Sequence, residues 1–144
     1  MSNYKNTISL AGRPLHKEAN AVAEVVPGEL IEFTDGVVDG ESVRGVQPHS
    51  TVDGSGQKIF TTIGLVEPDI DRPYEAGSRV MYLTCAAGDE VNAFLAPNQD
   101  VKKGDALGSA GDGSLQATSG AVIGYAGEEL ATTAERMRII LEVA

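Results

Sequence analysis

Between Ala86 and Leu115 the chain reads AAGDEVNAFLAPNQDVKKGDALGSAGDGSL, short apolar bursts separated by Gly-Asp, Lys-Gly-Asp and Asp-Gly turns. A burst of five or six residues is too short for a three-turn helix, and it suits a strand. Glycine and aspartate at the breaks supply the turn conformations that reverse a chain between strands. The pattern constrains the segment to a compact β scaffold. No nucleophile, base or ligand set is placed among the turns, which points to surface contact rather than chemistry.

The same grammar extends along the chain. Glycine is abundant at 17 residues while aromatics make up only 5%, a balance that favours many tight turns and thin apolar layers over a helical core. The fold class read from this is mainly β, a compact sandwich or barrel-like domain with an extended N-terminal arm. Residues 1–24 are polar and weakly patterned, and Gly12-Arg13-Pro14 interrupts regular structure there. They are assigned to the arm, and residues 25–144 to the β domain. Expected strands are Glu29 to Thr34 closed by an Asp35-Gly36 turn, Glu41 to Val46, KIFTTIGLV, SRVMYLTC, GDEVNAFLA, the DALGS stretch, AVIGYAG and a terminal RMRIILEV that alternates before running apolar. GEELATTAERMR has helical composition, opposed by Thr132-Thr133. PGELIEFTDG and KGDALGSAGDG echo one another; two copies of one β-turn-β unit would explain this, but turns reuse the same residues for local reasons, and that is the expectation here.

Length and charge narrow the role. At 144 residues one domain can bury a core without disulfides or metals. A formal charge of −10 opposes direct contact with nucleic acid, whose phosphates repel such a field. No stretch approaches the roughly 18 apolar residues of a spanning helix and no signal-peptide core is visible, so synthesis in the cytosol is expected. The single cysteine, Cys85, sits in an apolar strand sequence, the setting of a buried thiol.

Candidate site residues are sparse. His16 and His49, the two histidines, lie in turn-rich segments and with Cys85 are too few for a zinc set. Asp69, Asp71 and Glu75, or Asp112, lack the alternating oxygen ligands of a calcium loop. GSAGDGS is followed by no Lys-Ser/Thr and opens no helix, so it is not a phosphate cradle. No serine-nucleophile arrangement is evident. Neither a cofactor nor a metal is expected.

Three resemblances follow from these residues. Gly88 to Leu107 resembles the G-D-x-V … V-x-K-G-D-x-L pattern of lipoyl and biotinyl carrier domains. The tip that would carry a modifiable lysine is SAGDGSLQ, so the geometry alone is implied. PDIDRPYEAG looks like the uridine loop of trimeric dUTPases through Ile70, Asp71 and Tyr74. The glycine there falls late at Gly77, Glu75 stands where an arginine is expected, and the family's other motifs are missing. Over its whole length the chain resembles the capsid decoration, or cement, proteins of tailed phages. The carriers are SLAGRPLHKEA, VVPGELIEF, QPHST with QKIF, PYEAGSRV, GDEVNAFLA, VKKGDALGSAGDGSL, AVIGYAGEEL and RIILEV, in that order.

That last resemblance implies a non-enzymatic virion protein on the outer surface of the phage head, made in the host cytoplasm. Its partners would be the major capsid protein and itself, as a homotrimer that locks neighbouring subunits together, with no nucleic acid and no membrane. A non-catalytic β module of a tail or receptor-binding assembly is the alternative, and a dUTPase-like hydrolase a distant one. The partner-binding residues expected are Tyr4, Ile8, Leu10, Arg13, Pro14 and Leu15, apolar and cationic side chains of the arm. With core strands expected to begin near Glu29, the arm should be dispensable for folding.

Overall fold

The computed structural model describes residues 7–64 and 69–144. It is all β among these residues, built as two curled sheets and one short two-stranded ribbon. The strands are β1 (Ser9–Ala11), β2 (Leu15–Asn20), β3 (Leu30–Val38), β4 (Glu41–Pro48), β5 (Ile59–Thr61), β6 (Arg79–Thr84), β7 (Glu90–Leu95), β8 (Asp100–Val101), β9 (Ala106–Ser109), β10 (Leu115–Ala117), β11 (Gly124–Ala126), β12 (Leu130–Ala131) and β13 (Met137–Val143). The GEELATTAERMR segment holds β12 and the approach to β13, not a helix. Its Thr132 hydroxyl donates to the Ala96 carbonyl at 2.6 Å and accepts from the Gln99 amide at 2.9 Å, fastening the segment beside β8.

The first sheet closes on itself. Its order is β1-β7-β10-β9-β11-β13, and β13 also pairs with β7 from Met137↔Leu95 to Glu142↔Glu90, so five strands form a barrel. On its other edge β7 meets β1 at its start and β10, in parallel, at Leu95. Alternation along β13 buries Ile139, Leu141 and Val143 in the barrel with Val91, Ala93, Leu95, Leu107 and Leu115.

The second sheet, β2-β6-β5-β3-β4, curls until its two edge strands touch at one parallel bridge, Ala21↔Val46. Its central strands serve two cores. Leu30, Phe60 and Leu83 face the barrel core, while their neighbours Ile31, Ile59 and Tyr82 face a second core with Ala21, Val25, Val46 and Val80. This two-sided burial is why β5 reads Ile59-Phe60-Thr61, β-branched and aromatic with no polar alternation; Leu65 and Val66 of the expected longer strand lie outside the described residues. Among the described residues Thr61 Oγ1 is buried with no hydrogen-bond partner. Thr61→Val removes that hydroxyl at nearly constant shape and is expected to stabilise the fold by about 1 kcal/mol, read by urea denaturation.

Two local expectations need correction. The strand starting at Leu30 does not turn at Asp35-Gly36; it continues to Val38 and reverses at Asp39-Gly40. There both residues have positive φ, 52° and 81°, as a two-residue type I′ hairpin requires. Gly36 serves packing instead, since a Cβ there would lie 2.6 Å from Val22 Cγ1. The second correction concerns the segment before residue 25. Gly12-Arg13-Pro14 does interrupt regular structure, but strands continue on both sides of it: β1 pairs with β7 in the barrel and β2 with β6 in the other sheet. Proline at the residue before β2 sets an extended start without removing any ladder hydrogen bond. The tripeptide is the crossover from one sheet to the other.

The sequence echo has a physical origin in a shared turn. Gly28, Gly88 and Gly104 have φ of 99°, 92° and 92°, the third position of a type II turn. The acidic residue that follows each one bonds back to the residue three before it. Glu29, Asp89 and Asp105 donate their amides to the carbonyls of Val26, Ala86 and Lys102 at 3.0, 3.1 and 3.0 Å. Their carboxylates accept the amides of the same three residues at 2.7, 2.9 and 2.8 Å.

Candidate functional site

The six residues expected to bind a partner fall in different places. Tyr4 lies outside the described residues. Ile8 is fully buried in the barrel core, so its side chain is not available to another chain. The position is apolar because the core needs it: its carbonyl accepts the Asn92 amide at 2.8 Å and draws the strand end onto β7. Leu10 is half-buried within β1, Arg13 is exposed and Pro14 half-buried at the crossover, and Leu15 opens β2 with 62% of its surface exposed. The crossover thus presents Arg13 and Leu15 to solvent.

Three clusters come together that spacing did not reveal. The first joins residues from β3, the end of β4 and β9. His49 Nδ1 is 2.8 Å from Ser109 Oγ, and His49 Nε2 is 3.8 Å from Glu32 Oε1. Ser109 Oγ also accepts the Gly111 amide at 3.1 Å. The order serine, histidine, carboxylate is that of a hydrolase triad. Ser109 and His49 are buried at 0% and 3% exposure, so a substrate carbonyl has no approach to the hydroxyl, and the trio acts as a polar fastening between the two sheets. Burial works against the charge on Glu32, but hydrogen bonds from Gln47 and Ser50 and the nearness of His49 together hold its carboxyl below the ordinary range. A depressed carboxylate supports the fold above its unfolded value, and that support is lost as pH falls below about 4.5.

The second cluster surrounds Phe94. The guanidinium carbons of Arg136 and Arg138 lie 4.0 and 4.4 Å from its ring centroid. Arg136 Nη1 bonds Glu29 Oε2 at 2.7 Å, and Glu29 is 5% exposed. Arg138 donates to the carbonyls of Pro27 and Ile70 at 3.0 and 2.5 Å and lies 3.3 Å from Asp71 Oδ1. Burial, and the like charge of Arg136, lower its hold on its proton, opposed by Asp71. These contacts tie the loop after residue 68 to β13.

That loop is the dUTPase-like one. Tyr74 is bridged to Val25, packs against the second core and donates its hydroxyl to the Thr62 carbonyl at 2.9 Å. A ring fixed in this way does not project to stack on a base. An open cleft of about 330 Å³ beside it is lined by Asp69, Arg72, Tyr74 and Glu75. Asp69 Oδ1 caps the Asp71 amide at 2.9 Å and Asp112 Oδ1 caps the Ser114 amide at 3.0 Å, both turn roles. Among the described residues no three His, Cys, Asp or Glu side chains gather as a metal set. Cys85 lies just past β6, half-buried; burial, with the Asp89 charge adding, pushes its thiol up to about 12. A thiol so placed is not a nucleophile near neutral pH.

The third cluster is a groove at the open side of the second sheet, beside Phe33 and Tyr82 of its core. Two adjoining clefts of about 490 and 390 Å³ share Phe33 and Gln57. Lys17, Lys58, Tyr82, Thr84 and Cys85 line the first, and Glu18, Asn20, Arg44 and Arg79 the second. Leu15 faces Thr84 across the β2–β6 pair at the same end.

No protein-family model matches this chain, and no curated protein matches it in sequence. Its architecture is nonetheless found in a solved structure, that of the N base of head fiber gp8.5 in bacteriophage phi29. The two share a TM-score of 0.57 over 92% of this chain and 95% of that one, at 18% identity. What is shared at that identity is the fold.

Proposed function

We infer that this protein is a structural component of a tailed-phage particle that seats on the outside of the head and strengthens contacts between capsid subunits, without catalysing a reaction. The observation that carries the reading is the fold shared over nearly its full length with the base of a phage head fibre. Two features support it. The reactive-looking groups are occupied in fastening the fold, with Ser109 sealed from solvent and Asp71 and Tyr74 held by Arg138 and Thr62. The crossover exposes Arg13 and Leu15 beside half-buried Pro14, a cation next to apolar surface in an acidic protein, side-chain types that anchor interfaces.

The partner in this reading is the major capsid protein, met at threefold or quasi-threefold positions by three copies of the chain. Three copies let individually modest contacts sum to firm attachment. Heads lacking the protein and then incubated with it should release their DNA at a higher temperature than untreated heads. Unchanged release, with the protein remaining in the supernatant after the heads are sedimented, is the opposing result.

A further inference from the structure

The groove between β2 and β4 is the place where the second sheet fails to close. The two edge strands meet at Ala21↔Val46 and are not paired with each other toward their N-terminal ends. A sheet left open exposes part of the face that packs its own core, and here that face carries Phe33 and Tyr82. Phe33 and Tyr82 stand edge to face, 5.9 Å between centroids at 82°, and the Arg44 guanidinium lies 5.8 Å over Phe33. Lys17 is directly across from Tyr82 in the β2–β6 register.

The charges on this face are out of keeping with the molecule. A chain of net charge −10 with 11 lysines and arginines gathers Lys17, Arg44, Lys58 and Arg79 around two adjoining clefts. Arg79 is paired with Glu18 at 3.8 Å, and Lys58 donates to the Ala144 carbonyl at 2.7 Å. Asp35 stands opposite Arg44 in the β3–β4 register. Lys17 and Arg44 enter no ion pair among the described residues. Two unpaired cations flanking an accessible phenyl ring attract an anion that also brings apolar surface, and they repel another cationic surface.

We propose that this groove docks an extended acidic peptide segment carrying an aliphatic or aromatic side chain, contributed by a partner protein. The apolar side chain enters against Phe33, and flanking carboxylates meet Lys17 and Arg44. The proposal deepens the head-surface reading, in which the segment belongs to a capsid subunit; its chemistry is testable without heads.

The test is an NMR titration of the full chain, isotopically labelled, with the synthetic hexapeptide Glu-Asp-Leu-Phe-Glu-Asp blocked at both ends, and with its Gln-Asn-Leu-Phe-Gln-Asn counterpart. The acidic peptide should shift resonances of Lys17, Phe33, Arg44, Gln57 and Tyr82, binding at least tenfold more weakly at 0.5 M salt than at 0.05 M. The neutral peptide should bind at least tenfold more weakly than the acidic one. Lys17→Glu with Arg44→Glu, at exposed positions where the fold should persist with an unchanged Tm, should abolish the shifts. No shift at millimolar acidic peptide, equal binding of the neutral peptide, or shifts clustered elsewhere overturns the proposal. So does a concentration-dependent shift of the same residues without peptide, which assigns the groove to a second copy of the chain. Heads that bind the wild-type and charge-reversed proteins equally would sink the groove while leaving the head-surface reading intact, whereas heads that bind neither would sink that reading alone if the peptide still binds.

Discussion

Ile8→Ala is expected to destabilise the fold by about 2–5 kcal/mol, seen as a fall in Tm of roughly 6–15 °C in a calorimetric scan. Ile8 is fully buried among Leu30, Val91, Leu107 and Leu141. Truncation to alanine there loses transfer energy and leaves a cavity that a closed barrel cannot easily collapse into. A change below 1 kcal/mol would mean that the N-terminal strand is peripheral to the core. The same packing changes what a truncation can report. Deleting residues 2–16 removes β1, Ile8 and the first two residues of β2, so a weakened grip in that variant would reflect damage to the fold. Arg13→Ala and Leu15→Asp, both at exposed positions, test the contact surface without that damage.

Arg136→Ala is expected to cost about 3–5 kcal/mol, because it strands the Glu29 carboxylate in a nearly buried site and uncovers Phe94. Glu29 also caps the Val26 amide in the turn that begins β3, so the loss should spread to the Pro27 carbonyl that Arg138 holds. Combining Arg136→Met with Glu29→Gln should recover at least half of the loss, since the stranded charge is then gone. Urea denaturation of the single and double variants makes the comparison. Equal instability in both would place the effect in packing around Phe94 rather than in the ion pair.

The β class, the turns and most strands were legible in the sequence because their signals are local. Gly-Asp after an apolar burst states a type II turn with its own carboxylate cap, and β13 announces its buried face through Ile139, Leu141 and Val143. What could not be read was long-range. Asp35-Gly36 and Asp39-Gly40 are the same dipeptide, and only Val22, packed against Gly36 from another part of the chain, separates a close approach from a hairpin turn. Residues 7–24 read as polar because β2 lies at an edge with its first four residues exposed, and three-residue β1 is too short to show alternation. The clusters were beyond spacing altogether. His49 and Ser109 are 60 residues apart and Arg136 and Glu29 are 107 apart, and no periodicity links positions joined by barrel closure.

The head-surface account is tested most directly by reconstructing phage heads with and without this protein by electron cryomicroscopy. Added density should sit outside the shell, at threefold or quasi-threefold positions and in contact with the major capsid protein. It should accommodate three copies of the two-sheet fold, with the Arg13–Leu15 crossover toward the capsid. Density confined to the tail, monomers away from any threefold position, or identical maps from both particles would contradict it.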